Sequence, residues 1–365
     1  MRVLTVNAGS SSLKLRLLHD DDQVAGHDVQ HWRGEPDPVR DFFQEHGAQA
    51  IGHRVVHGGP KLQGPAVVDD ALLHYLSGLT ELAPLHQSRA LDAMRAAAEC
   101  APGTPAVACV DTAFHTTLPE AARTYALPKE WNERWGLRRY GFHGLSHGYA
   151  SRRGAELAGP TGGRVLSCHL GAGASLAAVR DGRCVDTTMG FTPDEGLVMA
   201  TRSGSVDPGL LEWLLTSGKV GVDELCDALR ERSGLAGLAG GSGDLRDVLT
   251  ASADCDQDAE LAYDVYVHSL VRHAGAMVAA MGGLDLLVFT GGVGEHQPVL
   301  RAEVAERLGF LGVAVDAERN AAATADADIG AAGARVRTVV VESREDLEIA
   351  RQTARALTAE PVPTG

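Results

Sequence analysis

The sequence predicts an α/β protein made of two duplicated halves. Three observations carry that reading. A strand, a turn of glycine and small residues, and a second strand occur at Val3 to Leu17 and recur about 160 residues later, at Val165 to Arg180. Short β-rich runs alternate with longer segments of helical spacing. Finally, 365 residues are too many for one ordinary core but suit two domains of roughly 150 to 200 residues with a cleft.

Taken in order, Val3 to Asn7 is an apolar strand broken by Ala8 to Ser12, after which Leu13 to Leu17 alternates with period two. A third strand is predicted at Gln23 to Val29, a short helix at Val39 to His46, and a strand at Ile51 to Val56. Gln87 to Glu99 and His147 to Leu157 have helical spacing, and Ala106 to Val110 reads as a buried strand. The second triplet has one inserted residue in its turn and continues through the Asp181-Gly182 turn to Arg183–Thr187. Helices are predicted at Leu210 to Thr216, Val222 to Arg232 and Ala259 to Met281. Then comes a strand, Leu286 to Thr290, opening onto a glycine loop at Gly291 to Gly294 and a helix at Pro298 to Leu308. Val336 to Val341 and Glu345 to Leu357 close the chain as strand and helix.

A formal charge of −15 argues against nucleic acid or an anionic membrane as partner, because both call for a positive field. An anionic ligand must then be held by local groups. Six scattered cysteines without a CxxC pair read as buried free thiols in a reducing compartment. No stretch reaches the roughly 18 apolar residues of a membrane span, and a cytoplasmic protein is expected.

Three glycine turns sit in strand contexts, at Gly9, at Gly171 to Gly173 and at Gly291 to Gly294. Such turns let backbone N–H groups approach an anion, and Ser10, Ser12 and Lys14 add donors; a plain tight hairpin is the alternative. None has the spacing of a dinucleotide fingerprint or a P-loop. Arg54 ends a buried strand, where an unpaired guanidinium is costly, and Arg202 lies in a loop of small residues. Each reads as an anion ligand or as half of a structural salt bridge. Asp111 follows a buried strand, as catalytic and metal-binding carboxylates often do, or it caps the next helix. His143 reads as a donor to a transferring group or as structural.

The order of these motifs resembles the acetate kinases, within the acetate, propionate and butyrate kinase family. The matching stretches include Asn7 to Lys14 (NAGSSSLK), Gly52 to Gly59 (GHRVVHGG), Asp111 to His115 (DTAFH) and Arg139 to His147 (RYGFHGLSH). They continue with His169 to Ser175 (HLGAGAS), Met189 to Pro193 (MGFTP) and Phe289 to Glu295 (FTGGVGE). The resemblance implies two duplicated domains of the actin-like ATPase type, shared with sugar kinases, actin and the heat-shock chaperone ATPases, around a nucleotide cleft. They are expected at 1–112, joined by a C-terminal helix at 346–365, and at 113–345. It also implies a homodimer.

By motif, Asn7, Ser10, Ser12 and Lys14 resemble the first phosphate and metal loop, and His169, Gly171, Ala172 and Gly173 the second. Asp244 and Arg246 match adenosine contacts, and Gly292, Val293, Gly294 and His296 the adenine loop. Arg54 and Arg202 fall on the substrate and phosphoryl arginines, Asp111 on the catalytic aspartate and His143 on the transition-state histidine. Val56, Leu85, Phe142 and Pro193 match the acyl pocket, and Glu345, with Asn7, the magnesium site. The implied reaction moves the γ-phosphoryl group of ATP reversibly to a short carboxylate, with Mg²⁺ or Mn²⁺, giving acyl phosphate and ADP. Acetate, propionate and butyrate remain open, as do a sugar kinase and a weakly active regulatory paralogue. Ala172 and His296 stand where the family has asparagine, Ser205 where it has aspartate, and Gln87-Ser88 where it has Asn-Pro. The chain is also some tens of residues shorter than the family pattern, mostly before Gly52.

Overall fold

The computed structural model describes residues 1–9 and 12–358, apart from the side chains of Pro84 and Leu85. Ser10 and the Leu85 side chain, both named above, lie outside the described residues. The chain divides into two compact units, one of Met1–Thr116, Phe142–Tyr149 and the segment from Arg344 onward, the other of Thr117–Gly141 and Ala150–Ser343.

The first unit is a mixed sheet of β1 (Arg2–Ala8), β2 (Ser12–His19), β3 (Asp22–Gln30), β4 (Ala50–Val55), β5 (Ala66–Val67) and β6 (Ala106–Val110). Its order is β3-β2-β1-β4-β6-β5. β1 and β2 form the antiparallel hairpin that the alternation of Leu13, Leu15 and Leu17 predicts, with those leucines buried and Lys14 facing out. β1, β4 and β6 run parallel. Parallel strands need crossovers, supplied here by the helices Asp37–His46 and Pro84–Cys100. These helices pack Val39, Phe42, Ala93 and Ala97 against Leu4, Val6 and Ile51. On a separate cluster, Ile349 of the closing helix Glu345–Thr358 meets Val107 and Cys109 of β6.

The second unit repeats this plan. β7 (Arg164–Leu170), β8 (Ala174–Arg180), β9 (Arg183–Thr187), β10 (Leu286–Thr290), β11 (Ala327–Asp328) and β12 (Arg337–Val340) lie in the order β11-β12-β10-β7-β8-β9, the first sheet's order read from the other edge. The equivalence extends to register. Val3 pairs with Ala50 as Val165 pairs with Leu286, so Asn7 corresponds to His169 and Arg54 to Thr290. The helix Gln257–Met281 is capped by Asp256, which accepts from the Asp258 and Ala259 amides, and ends at Gly282 in the left-handed conformation.

Three sequence expectations change. Counted between paired residues, the second turn is one residue shorter than the first, spanning Gly171 to Gly173 between Leu170 and Ala174, against Gly9 to Ser12 between Ala8 and Leu13. Gly291 to Gly294 is the body of a helix, Gly291–His296, and not a loop. Gly291 adopts φ 78°, with its backbone so close to β7 that a Cβ would sit 2.6 Å from the Leu170 carbonyl oxygen; the chain turns into the helix at that residue. All six cysteines are free, but Cys226, on a helix, and Cys255, in a turn, are exposed, and Cys100, the last residue of the helix Pro84–Cys100, is half-buried. Among the described residues, no helix is long and apolar enough to cross a membrane.

Candidate functional site

Within the first unit, three neighbouring parallel strands end on polar side chains. Asn7 lies near the end of β1, Arg54 near that of β4, and Asp111 directly after β6. The carboxyl edge of a parallel sheet is where ligands collect in open α/β folds. Arg54 grips one oxygen of Asp111, its Nε and Nη2 lying 3.1 and 2.7 Å from Oδ2. Its Nη1 donates to Asn7 Oδ1 at 3.3 Å and lies 3.7 Å from Glu345 Oε2. Asn7 Nδ2 in turn donates to Glu345 Oε2 at 2.9 Å.

The cluster is withdrawn from water: the Asp111 side chain is 1% exposed, Arg54 15% and Glu345 14%. Burial pushes the Asp111 carboxyl up to about 6, Arg54 opposing the rise and Glu345 adding to it. For Arg54, burial works against the charge, but the carboxylates of Asp111 and Glu345 outweigh it and raise its pKa. The Asp111 and Glu345 carboxylates meet the same guanidinium, and Asp111 Oδ1 is buried without a hydrogen-bond partner. Carboxylate and amide oxygens of this kind are the donors that a hard divalent cation takes. Among the described residues, no group of three or more His, Cys, Asp or Glu side chains is placed to hold a metal; two carboxylates and the Asn7 amide are what this cluster offers.

His143 takes φ 55°, unusual for a residue with a Cβ, and its carbonyl accepts from the His147 amide at the start of the helix Gly144–Ala158. Gly144 has no room for a side chain, since a Cβ there would overlap the Asp111 carbonyl oxygen. The residue after His143 is thus pressed against the residue that grips Arg54. Phe142 is buried with its ring 5.5 Å from that of His57, and its carbonyl meets His115 Nε2 at 2.8 Å. Val56 is buried in the same unit. Lys14 faces Asn7 across the hairpin, and its exposed ammonium has no ion pair among the described residues. Ser12 accepts the Gly9 amide through its carbonyl, closing the turn.

The second unit holds a pocket of ≈ 470 Å³. Of the residues named from the sequence, Gly171, Ala172, Asp244, Arg246, Gly292, Val293 and His296 line it; His169, Gly173 and Gly294 do not. Gly294 is buried, its carbonyl accepting from Arg301. Asp244 caps the helix Leu245–Ala253 by accepting from the Arg246 amide, and the Arg246 guanidinium folds back on it at 3.0 and 2.5 Å, holding its carboxyl below the ordinary range. Sequence reasoning missed Ala200, Leu235, Ser242, Gly243, Tyr266 and Gln297, which also line the pocket. The run Gly240 to Gly243 before a capping aspartate was a readable signal; Tyr266, on a long core helix, was not.

Arg202 belongs to this unit as well. Its Nη1 donates to the Pro193 carbonyl at 3.1 Å and its Nε lies 3.5 Å from Asp194 Oδ1. Ser205 closes the loop carrying Arg202, its amide donating to Gly196 O and its hydroxyl accepting from Gly196 N. Gln87 is fully buried, its Nε2 donating to the His57 and Leu76 carbonyls at 3.3 Å each.

A family model described as the acetokinase family matches residues 41–351. An acetate kinase of Shouchella clausii is 40% identical over 390 residues, covering 97% of this chain and 99% of the relative. The crystal structure of Porphyromonas gingivalis acetate kinase is 34% identical with a TM-score of 0.90, covering 98% of this chain and 100% of that one. A propionate kinase structure from Francisella tularensis subsp. tularensis is 31% identical with a TM-score of 0.89, covering 97% and 99%.

Proposed function

The chain belongs to the acetokinase family, with its actin-like ATPase fold, and from that premise we propose that it transfers the γ-phosphoryl group of ATP reversibly to a short carboxylate, acetate first among them. The observation that carries this reading is the buried group of Asn7, Arg54, Asp111 and Glu345 at the carboxyl edge of the first sheet.

A carboxylate with a pKa near 4 to 5 is already ionised at neutral pH, so its attack needs no general base. Asp111 therefore serves to hold Arg54 and the metal site in place. Arg54 binds the acceptor carboxylate through Nη1, the nitrogen with the longer contacts to Asn7 and Glu345. Val56 and Phe142 supply apolar surface for the acyl chain, and Leu85 and Pro193 are assigned to acyl contacts by motif. His143 and Arg202 offset charge on the phosphoryl oxygens, where most catalysis of this transfer resides.

Asn7 and Glu345, with the unpaired Oδ1 of Asp111, fit Mg²⁺. Bound there, Mg²⁺ neutralises charge on the nucleotide phosphates. The pocket of the second unit is of a size to take the nucleoside, and we assign Asp244 and Arg246 of its lining to contacts with adenosine. Lys14, Ser12 and the turn at Gly171 to Gly173 act on the phosphates. The reading includes a cytoplasmic homodimer; free thiols throughout suit a reducing compartment.

The test is to incubate the purified protein with Mg-ATP and acetate, propionate, butyrate or a sugar, trapping acyl phosphate as hydroxamate and measuring ADP. Hydroxamate matching ADP with acetate supports the reading. Greater turnover with propionate would move the acceptor to that homologue, a second reading favoured by the resemblance to a solved propionate kinase. ADP with a sugar and no hydroxamate would overturn both.

A further inference from the structure

Arg202 is held on two of its three guanidinium nitrogens, and what holds it is in turn held. Nη1 is fixed on the Pro193 carbonyl and Nε faces Asp194, while Nη2 has no hydrogen bond among the described residues. Asp194 turns its other oxygen to Arg230, whose Nε lies 3.0 Å from Oδ2. One carboxylate thus bridges two guanidinium groups, and the bridge is partly sheltered, Arg202 being 23% and Asp194 27% exposed against 51% for Arg230.

The backbone on both sides of Arg202 is tied to the end of the helix that carries Arg230. The Thr201 carbonyl accepts from the Ser233 amide at 2.9 Å and its Oγ1 donates to the Arg230 carbonyl at 2.8 Å, while the Ser203 amide donates to Leu229 O at 3.1 Å. The Cα of Arg202 is therefore placed by these ties, and its guanidinium is set by Pro193 and Asp194, with Met199 Sδ also 3.9 Å from Nη1. A guanidinium is a planar fork, so fixing Nε and Nη1 also fixes the direction of Nη2. A carboxylate beside an anion-binding arginine weakens its pull; Arg230, drawing on Oδ2, offsets that effect.

We propose that Asp194 is a positioning residue that sets the Arg202 fork so that Nη2 faces the transferring group, with Arg230 holding Asp194 in turn. This rests on the reading of Arg202 as a phosphoryl ligand, and it separates Asp194 from an ordinary surface ion pair, which would have little effect on anything.

Asp194→Asn keeps shape and removes charge. It lowers kcat about tenfold with KM for ATP and acetate changed less than about twofold, since Arg202 acts on the transition state rather than on bound substrates. Arg230→Gln produces a smaller fall in kcat of the same kind. In an Arg202→Lys background, whose ammonium has no Nε edge to face Asp194, adding Asp194→Asn changes kcat less than about twofold. Thermal unfolding of each variant reports whether the fold is kept.

A kcat for Asp194→Asn at or above that of the unaltered enzyme overturns the proposal. So does an equal fall in the Arg202→Lys background, or a fall explained by lost folded protein. Arg202→Ala separates the two levels of inference: normal turnover there removes the role of Arg202 itself, whereas a large loss there with an unaffected Asp194→Asn removes only the role of Asp194.

Discussion

His53 is a buried base with nothing to bond. It lies on β4 beside Arg54, is 1% exposed, and neither ring nitrogen has a hydrogen-bond partner. Burial lowers its pKa from 6.5 to about 4, so the folded chain keeps the ring neutral where the unfolded chain would protonate it. The sign follows from linkage: above pH 6.5 both states hold a neutral ring and pH has no effect through this group. As pH falls below 6.5 the unfolded state takes up a proton that the folded state refuses, and stability is lost until about pH 4. Between pH 7 and pH 4.5 the loss is about 2.5 kcal/mol, because each tenfold difference in proton affinity between the two states is worth about 1.4 kcal/mol. His53→Leu removes both the titration and two unsatisfied nitrogens, so it stabilises the fold at pH 7 by about 1 kcal/mol or more and takes the acid-linked loss out of the pH profile. Urea unfolding of both proteins at pH 7 and pH 4.5 is the assay. If the two lose the same stability on acidification, the ring is not held neutral by burial and the reasoning fails.

Arg54→Ala leaves the Asp111 carboxylate buried without its ion pair, and a loss of about 3 to 5 kcal/mol is expected in chemical denaturation; a change below about 1 kcal/mol would mean water reaches the pair freely. Ala172→Asn adds an amide to the lining of the second unit's pocket. A hydrogen bond to a charged group is worth about 1.5 to 3 kcal/mol, so KM for ATP should fall tenfold or more, and an unchanged KM would show that the amide does not reach phosphate. Gly144→Ala forces a methyl group into the Asp111 carbonyl and should destabilise by about 1 to 3 kcal/mol while lowering kcat, which paired melting and rate measurements detect.

Much of the fold was legible in the sequence because its signals are local. The alternating leucines of β2 and the all-apolar β6 declare one buried face and two, and the recurrence of the strand triplet declares the duplication. What is non-local was not legible. Arg54 and Asp111 stand 57 residues apart in the chain, so the sequence left salt bridge and anion ligand open for Arg54, and catalytic or metal carboxylate and helix cap open for Asp111; adjacency of β4 and β6 makes them partners. Register was equally hidden, which is why the second turn looked longer when it is shorter. The glycine run at Gly291 read as a loop because glycine is a poor helix former, a preference overridden here by packing against β7. Tyr266 was invisible as a lining residue because its helix is apolar along most of its length.

The most direct measurement of the central claim runs the reaction backwards. Acetyl phosphate and Mg-ADP are mixed with the protein and ATP is followed continuously, alongside Arg54→Gln. ATP formed in step with loss of acetyl phosphate, and a rate at least about a hundredfold lower in the variant, is the expected result. Tight nucleotide binding without ATP formation, or an Arg54→Gln protein as fast as the unaltered one, would contradict the assignment of the Arg54 cluster as the acceptor site.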